Sequence, residues 1–476
     1  MSCRPSIARA AAAAALACAG AIAAHAEVGL PSTAGSDPFR HVKALDELAI
    51  ANGNTRASGT PGYDRSADYV AEQLRGAGYA VRFEEFAFPF FEERSPPVLE
   101  SKLQGGDPVT YGGEALRTLS NSGSGDVTAV LQPVDLGLDG EPPRPSTSGC
   151  EREDFAGFVP GRIALVRRGT CPFQAKAEHA QAAGAAGLII MNQGTDGQTG
   201  SFAGRLGSPA EIPVLGVTTE VGARLGAAAQ DPAGLEVRLK IEAERGERAT
   251  RNVIAELGST DGSLVIVGAH LDSVPAGPGM NDNASGSAAV LESALRLARE
   301  PAAGTSIRFA FWGAEENGLV GSRRHADAIA EEERRRTALY INLDMVGSPN
   351  FGRFIHMTPE SPPELPARAR RALTAWFAER NLPVEERARG TRGSGSDDAS
   401  FAAKGIPTIG LFTGAGETKS EAHAERFGGT AGQPFDPCYH KSCDTALNVN
   451  RELLSQITDA LTHALRDVRD PASAPR

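Results

Sequence analysis

Two adjacent glutamates, Glu315 and Glu316, follow a short apolar run in the segment FAFWGAEENGLVGS. The run, residues 309–312, is typical of a buried strand, and a glycine ends it. In an open α/β sheet, ligands bind beyond the carboxyl ends of the strands. Two carboxylates side by side at such a point repel each other unless a cation or a shared proton neutralises them. For an isolated pair a solvated acidic turn is the ordinary explanation, so the other motifs of the chain decide whether these glutamates belong to a site.

Four further segments carry a histidine or an aspartate at a predicted strand end or in a loop. His270 and Asp272 close the apolar strand LVIVGAHLDS, and Asp344 ends the strand YINLDMVGS. Asp282 lies in the loop GPGMNDNASG before a helix, and His440 lies in FDPCYHKSCDT between two cysteines. Each alone is weak support for a site, because an aspartate before a helix is usually a cap. Together they place two histidines and several carboxylates on one edge of one sheet.

Imidazole nitrogens and carboxylate oxygens are ligands that suit zinc, and other first-row metals also accept them. One metal needs only three protein ligands and a water, so five suitable ligands indicate two metals that share a bridging carboxylate. The five candidate ligands are His270, Asp282, Glu316, Asp344 and His440. In this interpretation Asp272 hydrogen-bonds the His270 imidazole and fixes its tautomer. Glu315, next to a ligand but itself free, is the natural general base for an activated water.

The elements around these motifs predict an α/β fold, a mostly parallel mixed sheet sandwiched by helices. From Asn252 onward, apolar strands such as NVIAEL, LVIVGAH and IRFAFWG alternate with helices. The helices are predicted over residues 285–299, 322–333, 364–380 and 452–468. Upstream, the periodicity predicts the helix FRHVKALDELAIA, a helix over 66–76 and a strand over 79–86.

A smaller β-rich domain interrupts this pattern. Clusters of Pro, Gly and Ser between residues 95 and 125 indicate a boundary. Residues 116–244 contain short strands, one Ala-rich helix over 173–183 and no cluster of His, Asp and Glu, so we interpret the lone His179 as a surface residue. We therefore assign residues 37–115 and 245–470 to the two segments of the domain that carries the chemistry.

The first residues predict export. Arg4 and Arg9 precede an apolar segment over residues 10–24, and AHA at 24–26 fits a cleavage site, so residues 1–26 form a signal peptide. Lipoprotein processing at Cys18 fits the preceding residues poorly. Cleavage leaves four cysteines, and an exported protein is expected to pair them in two disulfides with three possible connectivities. Proximity in sequence favours Cys150–Cys171 and Cys438–Cys443.

Composition excludes some classes of partner. The formal net charge of −11 argues against nucleic acid or an anionic membrane, which would require a basic face. No long uncharged apolar span follows the N-terminus, so no membrane span is predicted.

The motif set resembles that of a known family. GAHLDS, NDNASGSAAVLE, FWGAEENGLVGS, NLDMVGS, SGSDDASF and DPCYHKSCDT look like the successive motifs of the co-catalytic di-zinc aminopeptidases, which include secreted bacterial leucyl aminopeptidases. The stretch GRIALVRRGTCPFQAKAEHAQAAGAAGLIIMNQ is similar to a protease-associated domain. The first resemblance implies two zinc ions and a zinc-exopeptidase-like fold. The second implies substrate restriction or partner contact in the insert.

Carried over motif by motif, the resemblance implies His270 and Asp344 on one zinc, Glu316 and His440 on the other, and Asp282 bridging them. It also implies that the glutamate before Glu316 shuttles the proton, and that the peptide after the bridging aspartate is cis.

For Tyr439, the resemblance implies a role in stabilising the oxyanion. This chain departs from the family at Asp398, where relatives often carry histidine, and before Ser396, where some relatives present an arginine. These departures affect the expected side-chain preference and leave the metal set untouched. The remaining histidines fit no ligand spacing and are interpreted as surface or packing residues: His41, His325, His356, His423 and His463.

The sequence thus predicts an exported zinc aminopeptidase that acts on peptides with a free N-terminus and uses Glu315 as general base. A di-zinc carboxypeptidase or dipeptidase is the alternative within enzymes, because related exopeptidases share the sheet and much of the metal set. The DPCYH segment with Tyr439 favours the aminopeptidase. Glutaminyl cyclase-like acyl transfer is a further enzymatic alternative. A non-catalytic receptor of the same fold would require ligand loss, and no ligand is missing.

Overall fold

The computed structural model describes residues 37–137, 146–195, 197–202, 204–258, 262–300, 304–359, 362–388 and 395–469. The predicted signal peptide, with Cys3 and Cys18, lies outside these ranges. Among the helices that are described, none is long and apolar enough to cross a membrane.

Within these ranges the chain forms fourteen strands and eleven α-helices, numbered in chain order. Strands β1 to β7 are Val81–Leu103, Val109–Tyr111, Leu116–Thr118, Gly125–Pro133, Ile163–Arg167, Gly187–Met191 and Val214–Val217. Strands β8 to β14 are Leu235–Leu257, Leu264–His270, Ser306–Trp312, Thr337–Leu343, Phe354–Thr358, Glu385–Ala388 and Thr408–Phe412. Helices α1 to α6 are Phe39–Ala51, Pro61–Gly76, Phe173–Ala182, Thr219–Ala228, Ser285–Leu297 and Val320–Ala328. Helices α7 to α11 are Glu331–Arg336, Glu364–Ala378, Asp398–Ala402, Glu421–Phe427 and Arg451–Arg469.

The strands join in the order β13-β12-β14-β11-β9-β10-β8-β4-β5-β6-β7-β3, with β1 paired to β8 and β2. Strands β10, β9, β11 and β14 are parallel neighbours. Strand β12 is antiparallel to β14, and β8 is antiparallel to β10. The predicted mixed sheet is confirmed, and the carboxyl ends of its parallel strands meet at one edge.

Strand β9 shows why this part of the sheet has helices on both faces. Successive side chains of a strand point to opposite faces. Leu264 and Ile266 pack with Trp312 on one face, whereas Val265 and Val267 pack against the helical core on the other. Every residue of β9 is buried, as expected for a parallel strand covered on both sides.

Three elements differ from the sequence-based expectation. Helix α2 begins at Pro61 rather than residue 66, because Thr60 accepts a hydrogen bond from the Tyr63 N–H and proline suits the first helical turn. The helix predicted over 322–333 is two helices, since the chain turns at Ile329, which packs against the Trp312 cluster. Strand β1 extends to Leu103 because it pairs with β8 over nearly its whole length.

Strand β8 links the parallel strands that carry the predicted site residues to the strands of the insert. Its first residues pair with β4 and its last residues pair with β10. The predicted boundary at residue 244 falls inside this strand, so the domain limits stay a prediction. Both predicted disulfides, Cys150–Cys171 and Cys438–Cys443, are present.

Candidate metal centre

Three neighbouring parallel strands deliver most of the predicted site. Strand β9 ends at His270, Glu315 and Glu316 follow β10 after a short turn, and Asp344 directly follows β11. Because these strands end at the same edge of the sheet, their polar side chains converge in the crevice beyond it.

Asp282 reaches the same point from the loop before α5. It lies in a single turn, Met280–Ala284, and is 6 % exposed. The Asp282–Asn283 peptide is cis, as the resemblance implied. His440 comes from the loop that the Cys438–Cys443 disulfide closes, and its ring stacks on that of Tyr439 with centroids 3.9 Å apart.

The two oxygens of Asp282 face two different groups of ligands. The His270 Nε2 atom lies 3.3 Å from Asp282 Oδ1 and 3.4 Å from Asp344 Oδ1. On the other side, His440 Nε2 lies 3.1 Å from Asp282 Oδ2 and 3.4 Å from Glu316 Oε2. In each group of three residues the donor atoms lie within 4.8 Å of one another. One carboxylate therefore connects two sets of potential metal ligands.

The residues fit bound cations. The atoms Glu316 Oε1 and Asp344 Oδ1 are buried and accept no hydrogen bond, and the 3.4 Å contact between His270 Nε2 and Asp344 Oδ1 is an ionic contact only. A buried carboxylate oxygen left unpaired is costly, and a metal ion would satisfy it. Burial alone would lower the pKa of His440, but Glu316 and Asp282 raise it to about 11. The site thus holds an excess of negative charge around nitrogen and oxygen donors of the kind that bind zinc.

Glu315 occupies a tightly held turn. Its neighbour Ala314 and the nearby Leu319 have φ values of 54° and 60°, a left-handed conformation that is unfavourable for residues with a side chain. Hydrogen bonds hold the turn: the Ala314 N–H donates to Ser58 Oγ at 2.7 Å, and the Glu315 N–H donates to Asp272 Oδ1 at 3.2 Å. Burial raises the pKa of Glu315 well above its ordinary value.

Asp272 contacts His270 differently from the prediction. The His270 Nδ1 atom lies 3.1 Å from the main-chain oxygen of Asp272 and 3.6 Å from its carboxylate Oδ1. The short contact is therefore to the main chain, because the carboxylate is turned to accept the Glu315 N–H. Asp272 consequently orients a candidate ligand through its backbone and the candidate base through its side chain.

A cavity of about 210 Å³ lies over the cluster. Met345, Leu411 and Phe412 supply its apolar wall, and Ser396 and Tyr439 also line it. The residue predicted as a departure at position 398 lies buried in α9 and does not line this cavity.

Other histidines occupy the places expected of packing residues, with one addition. His41 is buried and its Nδ1 lies 2.7 Å from the Tyr69 hydroxyl, and His325 is buried beside Glu84. His356 is also buried, but it lines the cavity as well. Sequence spacing gave no signal for that position, because β12, which carries His356, runs antiparallel to β14.

The chain is similar in sequence to known peptidases. Residues 252–465 match peptidase family M28, and residues 128–225 match the PA domain. An aminopeptidase from Pseudomonas aeruginosa is 43 % identical over 445 residues, which cover 91 % of this chain and 81 % of that protein. The chain belongs to peptidase family M28.

Solved structures of aminopeptidases resemble this M28 peptidase over nearly its whole length. An aminopeptidase from an Aneurinibacillus species is 28 % identical with a TM-score of 0.72, covering 91 % of this chain and 94 % of that one. A zinc aminopeptidase from Bacillus subtilis is 26 % identical with a TM-score of 0.66, covering 94 % and 97 %. The predicted family, fold class and enzyme class, a metallo-aminopeptidase with an inserted protease-associated domain, are confirmed.

Two aspartates that the sequence analysis missed hold the Asp282 loop of this M28 peptidase. Asp444, 1 % exposed, accepts the N–H groups of Asn281 and Asp282 at 2.8 and 2.9 Å. Asp436 accepts the Asn281 side-chain amide at 2.6 Å. These aspartates stand on either side of the cysteine pair in DPCYHKSCD, so they tie the His440 loop to the Asp282 backbone. Their symmetric placement is the signal that could have found them.

A buried arginine holds the same loop from the opposite direction. Arg56 is 0 % exposed and donates to the main-chain oxygens of Pro278 at 2.8 Å and Gly279 at 2.6 Å, and also to that of Leu271. Burial lowers its pKa to about 10, so it stays cationic at neutral pH. A further residue missed by sequence is Asp397, also fully buried, whose pKa burial raises to about 8.

Replacing Asp444 with asparagine tests whether this loop is preorganised. One carboxylate oxygen becomes an amide NH₂ that faces a main-chain N–H, so the Asp282 loop should shift. We expect metal affinity to fall about 10- to 100-fold, as is typical when an outer-shell partner is lost. Competition with a fluorescent zinc chelator measures this. The control is Asp459→Asn, which removes an exposed ion pair with Arg296. Unchanged affinity with a lower melting temperature would assign Asp444 a purely structural role.

Proposed function

We propose that this chain is an exported, zinc-dependent aminopeptidase with two zinc ions, which removes N-terminal residues from peptides. The observation that carries the two-ion proposal is that the two carboxylate oxygens of Asp282 face different histidines, one oxygen facing His270 and the other facing His440. A single ion would leave one of these two groups of donors without a cation.

The proposed ligands follow the two groups. His270 and Asp344 would hold one ion, Glu316 and His440 would hold the other, and Asp282 would bridge them. When bound, the ions would supply Lewis acidity and lower the pKa of a water toward neutrality. Zinc is preferred as the metal because the donor set suits it and because the Bacillus subtilis neighbour is a zinc aminopeptidase.

The chain's own residues would then move protons and hold charge. Glu315 accepts a proton from the attacking water and later donates it to the leaving amine, which balances the hydrolysis of one peptide bond. Burial raises the pKa of this carboxyl group, and a higher pKa makes its ionised form a stronger proton acceptor. Burial and the surrounding carboxylates raise the pKa of Tyr439, so its hydroxyl stays protonated and donates a hydrogen bond to the developing oxyanion.

Export is supported by cysteine chemistry. Disulfides persist in oxidising compartments, and the chain forms two of them. Together with the signal peptide predicted over residues 1–26, they favour a periplasmic or secreted enzyme.

Elemental analysis of dialysed protein tests the two-ion proposal. We expect two zinc ions per chain, and activity that is lost with chelator and regained as zinc is returned. His440→Ala should reduce the content toward one ion because only one group of ligands contains His440. The control His463→Ala changes an exposed histidine of α11 and should retain both ions. Full activity at a maximum of one zinc would contradict the proposal.

A further inference from the structure

A second cleft, of about 670 Å³, lies where the inserted domain meets the His440 loop. Three cationic side chains line it, Arg117 and Arg224 from the insert and Lys441 from the catalytic domain. Within the described part of the chain, none of the three forms an ion pair at 4.0 Å or less. All three side chains are exposed, and in a protein with a formal net charge of −11 their grouping in one cleft favours an anionic ligand there.

These cations keep donors free for such a ligand. Arg117 donates to the main-chain oxygen of Leu116 at 2.9 Å, and Lys441 donates to that of Pro437 at 2.9 Å. The Arg224 guanidinium lies 5.9 Å from the centre of the Tyr111 ring. An arginine has five N–H donors and a lysine three, so these contacts leave most donors available. Two glutamates, Glu114 and Glu220, also line the cleft, so its lining carries a formal excess of one positive charge.

The cleft lies next to the candidate metal centre, because two of its lining residues are close in sequence to residues that line or contact the centre. On one wall, Lys441 is the covalent neighbour of His440, which lines the central cavity. On the other wall, Ser201 lines the cleft, and Arg205, four residues further along, donates to the main-chain oxygen of Glu316 at 3.4 Å. Ligands in the cleft and in the centre can therefore belong to one molecule.

We propose that this cleft, which we call the carboxylate cleft, binds a carboxylate on the part of the peptide beyond the scissile bond. The proposal rests on the proposed function and specifies its substrate class. The central cavity receives the N-terminal residue, so the rest of the peptide must leave past the His440 loop or along the insert. An extended peptide advances roughly 3.3–3.6 Å per residue, so the α-carboxylate of a short peptide comes within reach of the long cationic side chains. The preferred substrates are then short peptides with a carboxylate beyond the scissile bond, either at a free C-terminus or on an acidic side chain.

Peptide pairs that differ in one charge test this. The first pair is Leu-Ala-Ala and its C-terminal amide. The second pair is Leu-Ala-Asp-amide and Leu-Ala-Asn-amide, which separates a side-chain carboxylate from the α-carboxylate. We expect kcat/KM to be about 10-fold higher for the acid of at least one pair, a size consistent with a few partly exposed charge contacts. The preference should weaken at high salt.

The variant Arg117→Gln/Arg224→Gln should abolish that preference and leave hydrolysis of leucyl-anilide, which has no carboxylate, unchanged. The control Arg152→Gln removes an exposed arginine of the insert that does not line the cleft. Equal rates for acid and amide in both pairs, or a preference that persists in the double variant, would overturn the proposal. If leucyl-anilide is not hydrolysed by the unmodified enzyme, the failure lies with the proposed function instead.

Discussion

Replacing Glu315 with glutamine is expected to lower kcat by at least ~10²-fold, the lower range for loss of a general acid–base group. The amide keeps the size of the side chain but cannot accept the proton of the attacking water. Metal content should change little, because the proposed ligand sets use Glu316 and not Glu315. The turn should also survive, since its hydrogen bonds to Asp272 and Ser58 involve main-chain N–H groups.

The matched variant is Glu316→Gln, one residue along the chain. It removes a proposed ligand, so we expect it to lose zinc as well as activity. The rate of a single turnover, the zinc content and the melting temperature should be measured for both proteins. Near-normal turnover in Glu315→Gln would reject its role as base. A loss of zinc equal to that of Glu316→Gln would instead make Glu315 a ligand.

The sequence could locate the candidate site because its parallel strands are buried on both faces. Such strands appear as continuous apolar runs, and the polar residues that interrupt them, His270, Glu315 and Asp344, stand out at the ends. Because these strands are parallel, their polar ends are expected to lie at one edge of one sheet. The predicted cluster of five ligands needed only the additional assumption that two loops fold back over this edge.

The supports of the site could not be found in this way. Arg56 acts on main-chain oxygens more than 200 residues away, for example that of Pro278 at a separation of 222 residues. Any residue offers a main-chain oxygen, so such a contact leaves no pattern of residue types. Asp444 also accepts main-chain N–H groups, 162 and 163 residues away, so only its symmetric placement with Asp436 around the two cysteines marks it in the sequence. The full length of β1 was hidden for a related reason, because its ladder with β8 depends on pairing across the chain.

The lining of the cavity over the candidate metal centre distinguishes an aminopeptidase from a carboxypeptidase. Among the described residues that line it are four carboxylates, those of Asp282, Glu315, Glu316 and Asp344, and neither lysine nor arginine. A carboxypeptidase must bind the terminal carboxylate of its substrate beside the reacting bond, which calls for a cation there. The cations of the carboxylate cleft lie outside this wall, and so does Arg205, which donates to the main-chain oxygen of Glu316. The wall is instead suited to the α-ammonium group of a free N-terminus.

We therefore expect leucyl-anilide to be cleaved and N-acetyl-leucyl-anilide to be at least ~10³-fold slower in kcat/KM. A site built to pair with a polar group rejects the analogue that lacks it by such factors. N-Methyl-leucyl-anilide is the matched control, since it adds bulk at the same nitrogen and keeps the positive charge. It should retain much more activity than the acetylated compound. If the methylated and acetylated substrates are equally poor, sterics and not charge set the selectivity. Comparable rates on the acetylated and free substrates, or release of C-terminal residues from an N-blocked peptide, would favour the carboxypeptidase.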